Sequence, residues 1–183
     1  MSNPESTDFR IELLAPHHNR AAFSCGNEQL DRYLHVVATQ DKKKNIAIPY
    51  VIFDIDRQTI VGYYTLSMSG INLEQLPEQI AKKLPKYPIV GVTLIGRLAV
   101  SSDYKGSGWG KLLIMDALHR SLAASRATAS FAVVVDASLV PRGYANDDAA
   151  VRFYQRFDFQ PFPDSSTKLF RTMTNIDRAF GSI

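Results

Sequence analysis

The chain has 183 residues, 45% apolar and 21% charged, with a formal net charge of +3 and a pI near 9.0. This is an ordinary globular composition, long enough to bury a core. No apolar run approaches the roughly 20 residues needed to cross a bilayer, the polar stretch Met1–Arg10 does not read as a signal peptide, and the single cysteine, Cys25, excludes an internal disulfide and a multi-cysteine zinc site.

The compartment these features favour is the cytoplasm. The net charge is too small to establish a nucleic-acid partner. The local concentrations Lys42-Lys43-Lys44, Lys82-Lys83-Lys86, and Lys105 with Lys111 read either as solvated helix ends and loops or as surfaces for a polyanion, RNA or a CoA phosphate.

Residues 1–8 are expected to be a flexible N-terminus, 9–175 a single domain and 176–183 a C-terminal tail. Residues 9–14 suit a short opening strand. From Asn27, a plausible N-cap by residue type, Leu30, Tyr33, Leu34, Val37 and Ala38 fall at helical spacing, which predicts an amphipathic helix ending near Asp41. Residues 47–55 and 59–68 predict a hairpin, with Pro49 placing its first strand at an edge or at its own beginning. A short helix over roughly 74–84 is punctuated by Pro77 and Pro85. Residues 90–100 form a strand with Gly91 and Gly96 inside it, as at a bulge or a close backbone approach.

A helix from about 109 to 124 carries the stripe Leu112, Met115, Leu118 and Leu122. Phe131 to Val135 reads as a buried strand. Residues 147–157 form a further helix with Asn146 or Asp147 at its cap and Ala149, Ala150, Phe153, Tyr154 and Phe157 facing the core. Strands near 159–162 and 168–174 finish the domain. The alternation of strands and helices predicts an α/β layered sheet.

Between the strand ending at Val100 and the next helix lies Lys105-Gly106-Ser107-Gly108-Trp109-Gly110-Lys111. Glycines let backbone N–H groups converge, and a helix N-terminus carries partial positive charge, so the turn can cradle a pyrophosphate. A Walker loop is excluded because Leu112 stands where a hydroxyl residue should follow Gly110-Lys111. A dinucleotide fingerprint is excluded because the spacing is Gly-x-Gly-x-Gly.

The turn resembles the pyrophosphate motif of the GNAT superfamily of N-acetyltransferases, Arg/Gln-x-x-Gly-x-Gly/Ala, with Lys105 in place of the usual Arg or Gln. The resemblance covers about 9–175. It implies a mixed, mainly antiparallel sheet flanked by helices and splayed between strands 90–100 and 131–135, with acetyl-CoA in the opening. It places the pantetheine on the main chain of Leu98, Ala99 and Val100, and the pyrophosphate on Lys105, Gly106, Ser107, Gly108, Trp109, Gly110 and Lys111.

Phe23-Ser24-Cys25-Gly26-Asn27-Glu28-Gln29-Leu30-Asp31-Arg32-Tyr33-Leu34, the strand Gly96-Arg97-Leu98-Ala99-Val100 and Phe153-Tyr154-Gln155-Arg156-Phe157 are together similar to the acetyltransferase toxins of bacterial toxin–antitoxin pairs. Asp158 stands where those toxins usually have Gly. This resemblance implies aminoacyl-tRNA as acceptor, a ribbon-helix-helix antitoxin as partner, and a homodimer.

Acetyl transfer needs a neutral amine, donors for the oxyanion and a proton for the departing thiolate. The resemblance assigns that proton to Tyr154, whose phenol has a reference pKa near 10; its other reading is packing with Phe153 and Phe157. It gives Asn146 a hydrogen bond to pantetheine, with helix capping as the alternative. His17, His18, His35 and His119 show no metal spacing, no metal is expected, and no base is evident. Direct transfer is favoured over an acyl-enzyme on Cys25. Acetylation of a small amine or protein N-terminus, or a non-catalytic CoA-binding module, are the competing functions.

Overall fold

The computed structural model describes residues 8–139 and 147–181. In chain order come β1 (Phe9–Leu13), α1 (Glu28–Arg32), a π-helical turn (Tyr33–Val37), α2 (Ala38–Lys43), β2 (Ile48–Asp54), β3 (Thr59–Asn72), α3 (Glu78–Ala81) and β4 (Ile89–Val100). Then follow α4 (Trp109–Ser125), β5 (Ala132–Asp136), α5 (Asp147–Gln155), β6 (Gln160–Pro161), β7 (Lys168–Thr172) and α6 (Met173–Phe180).

The strands form one sheet in the order β1-β2-β3-β4-β5-β7-β6. β1 runs antiparallel to β2, and β7 antiparallel to both β5 and β6. β4 and β5 are parallel, from Thr93 opposite Val133 to Ile95 opposite Val135. The expected mixed, mainly antiparallel α/β sheet therefore forms. β5 ends at Asp136 whereas β4 runs on through Gly96 to Val100, so the end of β4 outlasts its parallel partner.

The chain divides into two compact units, Met1–Thr65 with Arg97–Met115, and Leu66–Gly96 with Asp116–Ile183. The first has a core of Phe23, Tyr33, Leu34, Val51, Phe53 and Tyr63 among others, and the second one built on Val92, Ala132, Val134, Phe162 and Phe170. Each large apolar side chain fully buried in this way contributes about 1.5–3 kcal/mol.

Asn27 caps α1 as expected, its side chain accepting from the N–H groups of Gln29 and Leu30. The helix continues through the π turn, where Ala38 N–H bonds the carbonyl of Tyr33. That extra residue shifts the stripe. Tyr33, Leu34 and Ala38 are buried, whereas Val37, expected in the core, is 36% exposed. The His35 carbonyl within the turn accepts from Arg20 at 3.2 Å.

In α4 the buried face is Leu113, Ile114, Ala117, Leu118, Ser121 and Leu122; Leu112 is exposed and Met115 only half-buried. Spacings of three and four fit either phase when two leucines adjoin, so periodicity could not choose between them. On α5, Ala149 is exposed and Ala150, Phe153, Tyr154 and Phe157 are half-buried, not core. The expected helix over 74–84 shrinks to a 3₁₀ turn at Leu73–Gln75 and to α3, because Pro77 cannot sit inside a helix. The expected tail from 176 begins inside α6, whose Ile176 is buried and whose N-cap is Thr172.

Candidate active site

The first unit carries the glycine turn. Gly106 (φ +81) and Gly108 (φ +84) both hold left-handed backbone that a side chain resists, and a Cβ at either would meet no protein atom within 4 Å. The Gly108 carbonyl accepts from Lys111 N–H at 3.1 Å and from Leu112 N–H at 3.3 Å, which closes the first turn of α4. The N–H groups of Trp109 and Gly110, the first two residues of α4, then have no intrahelical acceptor. Gly110 is helical, so its backbone is not of the strained, positive-φ kind. A glycine turn with open space beside Gly106 and Gly108, at the positive end of a helix, fits a pyrophosphate.

Four contacts fix that turn. The Trp109 ring lies against Phe9 (centroids 4.4 Å apart) and edge-on to Tyr104 (6.3 Å). The Tyr104 hydroxyl donates to the buried Asp54 carboxylate at 2.8 Å. Lys105 donates from Nζ to the Cys25 carbonyl at 2.6 Å, so the substituted side chain braces the turn against the N-terminal segment. Lys111 is exposed. On β4, Ala99 is buried, Leu98 and Val100 are half-buried, and Ser101 N–H bonds the Val61 carbonyl at 2.8 Å.

The segment Phe23–Leu34 proves to be a folding device. Asp31 accepts from Cys25 N–H (2.8 Å) and from the Ser24 hydroxyl (3.1 Å), while Gly26 turns the chain at φ +81. Burial, followed by the neighbouring Asp31, pushes the Cys25 thiol up to about 11. It stays protonated at neutral pH and is no nucleophile.

The second unit carries Tyr154 in the last turn of α5. Its ring meets Phe153 and Phe159 edge-on, at 5.2 and 5.7 Å. Its hydroxyl has no hydrogen-bond partner among the described residues, and desolvation raises its pKa above the ordinary phenol value. The end of α5 closes on Tyr154, whose carbonyl accepts from Phe157 N–H and Phe159 N–H at 2.9 and 3.4 Å. Asp158, between them, has φ +59, the conformation glycine would take there. The buried Arg171 holds this turn, donating to the Phe157 carbonyl at 2.9 Å and pairing with Asp158 at 3.4 Å. Asn146 lies outside the described residues.

The histidines are not all scattered. His17 and His18 both meet Glu12 Oε1, at 3.2 and 2.8 Å. His18 Nδ1 accepts from Ala15 N–H, so its neutral ring carries the proton on Nε2 and donates it to Glu12. Burial lowers the His18 pKa, and the His18 hydrogen bond lowers that of Glu12. This is a hydrogen-bonded cluster in which the buried nitrogen has no lone pair to offer a metal. His35 donates to the Phe23 carbonyl at 2.7 Å, and His119 packs edge-on to Phe180.

The model of the acetyltransferase (GNAT) domain matches residues 48–161, from β2 to β6 and across both the glycine turn and Tyr154. The chain belongs to the GNAT acetyltransferase family. It is an acetyl-CoA-dependent N-acetyltransferase.

It is 29% identical over 182 residues to a probable toxin TacT from Sinorhizobium fredii, which spans 99% of this chain and 100% of that one. A tRNA-acetylating toxin from Mycobacterium tuberculosis is 28% identical over 160 residues, 87% of this chain and 89% of that one. Among solved structures, AtaT complexed with acetyl-methionyl-tRNAfMet superposes with a TM-score of 0.83 at 26% identity, covering 95% of this chain and 100% of that one. No helix among the described residues is long and apolar enough to cross a membrane.

Proposed function

We propose that this GNAT enzyme acetylates the α-amino group of an aminoacyl-tRNA, as a cytoplasmic toxin held in check by an antitoxin of ribbon-helix-helix type. The observation that carries the reading is similarity over 87% of the chain to a protein named a tRNA-acetylating toxin, and over 99% to a probable toxin TacT, combined with a turn shaped for pyrophosphate.

Acetyl-CoA, when bound, supplies the thioester carbonyl and the thiol leaving group. Gly106–Gly110 would hold its pyrophosphate through main-chain N–H groups, and Leu98–Val100 would orient its pantetheine along β4. The α-amine nitrogen attacks the carbonyl carbon, the C–N bond forms, the C–S bond breaks, and water takes the proton leaving the amine. Tyr154 would give its phenolic proton to the departing sulfur and regain one from the water that takes the amine's proton. Its raised pKa keeps the phenol protonated at neutral pH, as a general acid requires. The neutral, buried Cys25 supports direct transfer without an acyl-enzyme.

The test offers labelled acetyl-CoA to aminoacyl-tRNA, polyamines and peptides in parallel. Label on the aminoacyl-tRNA, stable as an amide after deacylation from the tRNA, is the expected result. Turnover confined to polyamines or peptides would overturn the acceptor assignment, and no turnover at all would leave a CoA-binding module.

A further inference from the structure

The half-buried guanidinium of Arg97, on β4, lies 3.7 Å from the centroid of the Tyr33 ring. That ring is fixed in place. Tyr33 is 4% exposed, its hydroxyl donates to Asp41 at 2.9 Å, and it stacks on Tyr63, whose own hydroxyl donates to the Leu30 carbonyl at 2.8 Å. Arg20 and Lys42, the other half-buried cations described in this unit, each donate to a main-chain carbonyl. Arg97 donates to no carbonyl, carboxylate or hydroxyl among the described residues. An aromatic face attracts a guanidinium but leaves its five in-plane N–H donors unused. Withdrawing a cation from water without an anion is costly, so the arrangement suits an anion brought by a ligand.

Its place in the strand says which ligand. β4 runs toward the glycine turn, so a pantetheine arm leading back from the turn follows Val100, Ala99 and Leu98. At about 3.3 Å per residue, Arg97 stands roughly 10 Å upstream of the end of β4, where a pantetheine held as proposed along Val100, Ala99 and Leu98 would bring its thioester. Arg97 shares a strand face with Ala99, which lies in the same core as Tyr33, so its side chain projects toward α1 and the π turn. The amine of a charged tRNA must arrive at the thioester, and the anion nearest that amine is the 5′-phosphate of the terminal nucleotide.

Resting on the proposed function, we propose that Arg97, stacked on Tyr33, is an acceptor-binding residue that takes the phosphodiester of the 3′-terminal nucleotide. It thereby selects amines carried on a nucleotide over free amino acids and peptides.

The probes are 3′-O-aminoacyl-adenosine with and without a 5′-phosphate, bearing the amino acid that the parent accepts on tRNA. The parent should use the phosphorylated probe with kcat/KM at least about tenfold higher, the size of one charge-assisted hydrogen bond. Arg97→Gln should bring that ratio near one while leaving acetyl-CoA KM and turnover of the unphosphorylated probe within about threefold. Arg97→Lys should keep an intermediate ratio, because a point charge lacks the planar fork; it decides the matter if the Gln variant does not fold. A parent that acetylates charged tRNA without preferring the phosphate, or a folded variant that keeps the full preference, overturns the role of Arg97 alone. A parent inert toward charged tRNA overturns the proposed function and this inference with it.

Discussion

Tyr154 and Gly108 each tie one atom to one step, and each yields a measurement. Tyr154→Phe removes a hydroxyl that bonds nothing described in the protein, so packing against Phe153 and Phe159 should survive. Acetyl-CoA affinity should stay within severalfold, and kcat should fall by about 10²–10⁴, the usual worth of a general acid. An unchanged kcat, with chemistry shown to be rate-limiting, would sink the assignment. Gly108→Ala places a Cβ in space that no protein atom occupies, at φ +84. Backbone strain should cost about 1 kcal/mol of stability, whereas calorimetry should show acetyl-CoA affinity falling by tenfold or more. An unshifted affinity would mean that the turn is only structural. Both positions could be picked out in the sequence, Gly108 from the glycine spacing and Tyr154 from the resemblance to the toxins. The bracing by Lys105 was not, since its partner is a main-chain carbonyl 80 positions away.

The turn that ends α5 shows how an element absorbs an awkward residue. Asp158 in left-handed backbone costs about 1 kcal/mol relative to glycine, and the buried Arg171 offsets part of that through the ion pair and the Phe157 carbonyl. The carboxylate is 78% exposed, so solvent limits the pair to a fraction of a kcal/mol. Asp158→Gly should therefore be nearly neutral, relief of strain balancing loss of the pair. Asp158→Ala keeps the strain, loses the pair, and should cost about 1–2 kcal/mol in urea unfolding. Equal stabilities for the two variants would show that backbone strain plays no part. Sequence pointed to Asp158 as a departure, but not to its partner, because Arg171 reaches it only through the placement of β7. Elements with strong periodicity were readable; the phase of α4 and the π turn were not, since adjacent apolar residues satisfy more than one register.

For the whole molecule the question is which basic surface meets the acceptor. Lys42 is committed, donating to the Leu14 carbonyl, so the expected triple cluster reduces to the exposed Lys43 and Lys44. Around α3, Lys82 pairs with Glu78, and the neighbouring groove also carries Glu74, a mixed charge that does not favour a polyanion. Replacing Lys43 and Lys44 with Ala should raise KM for aminoacyl-tRNA and flatten its salt dependence by a log–log slope of roughly 0.7 per lost phosphate contact, with acetyl-CoA KM unmoved. Equal activity on charged tRNA at every salt concentration would make this pair a solvated helix end.

The division into two units, each assembled from separated stretches of chain, also bears on how the enzyme is made. A polypeptide leaves the ribosome N-terminus first. The glycine turn emerges before β5, which must itself wait for β7, and the first unit cannot close until Met115 has appeared. The nascent acetyltransferase thus has an incomplete second unit while it is being synthesised. A product stopping before Lys168 would leave β5 without its antiparallel neighbour, an exposed edge for proteases and chaperones. Interrupted synthesis then yields debris to be cleared, and the second unit's sheet is completed only once β7 has emerged.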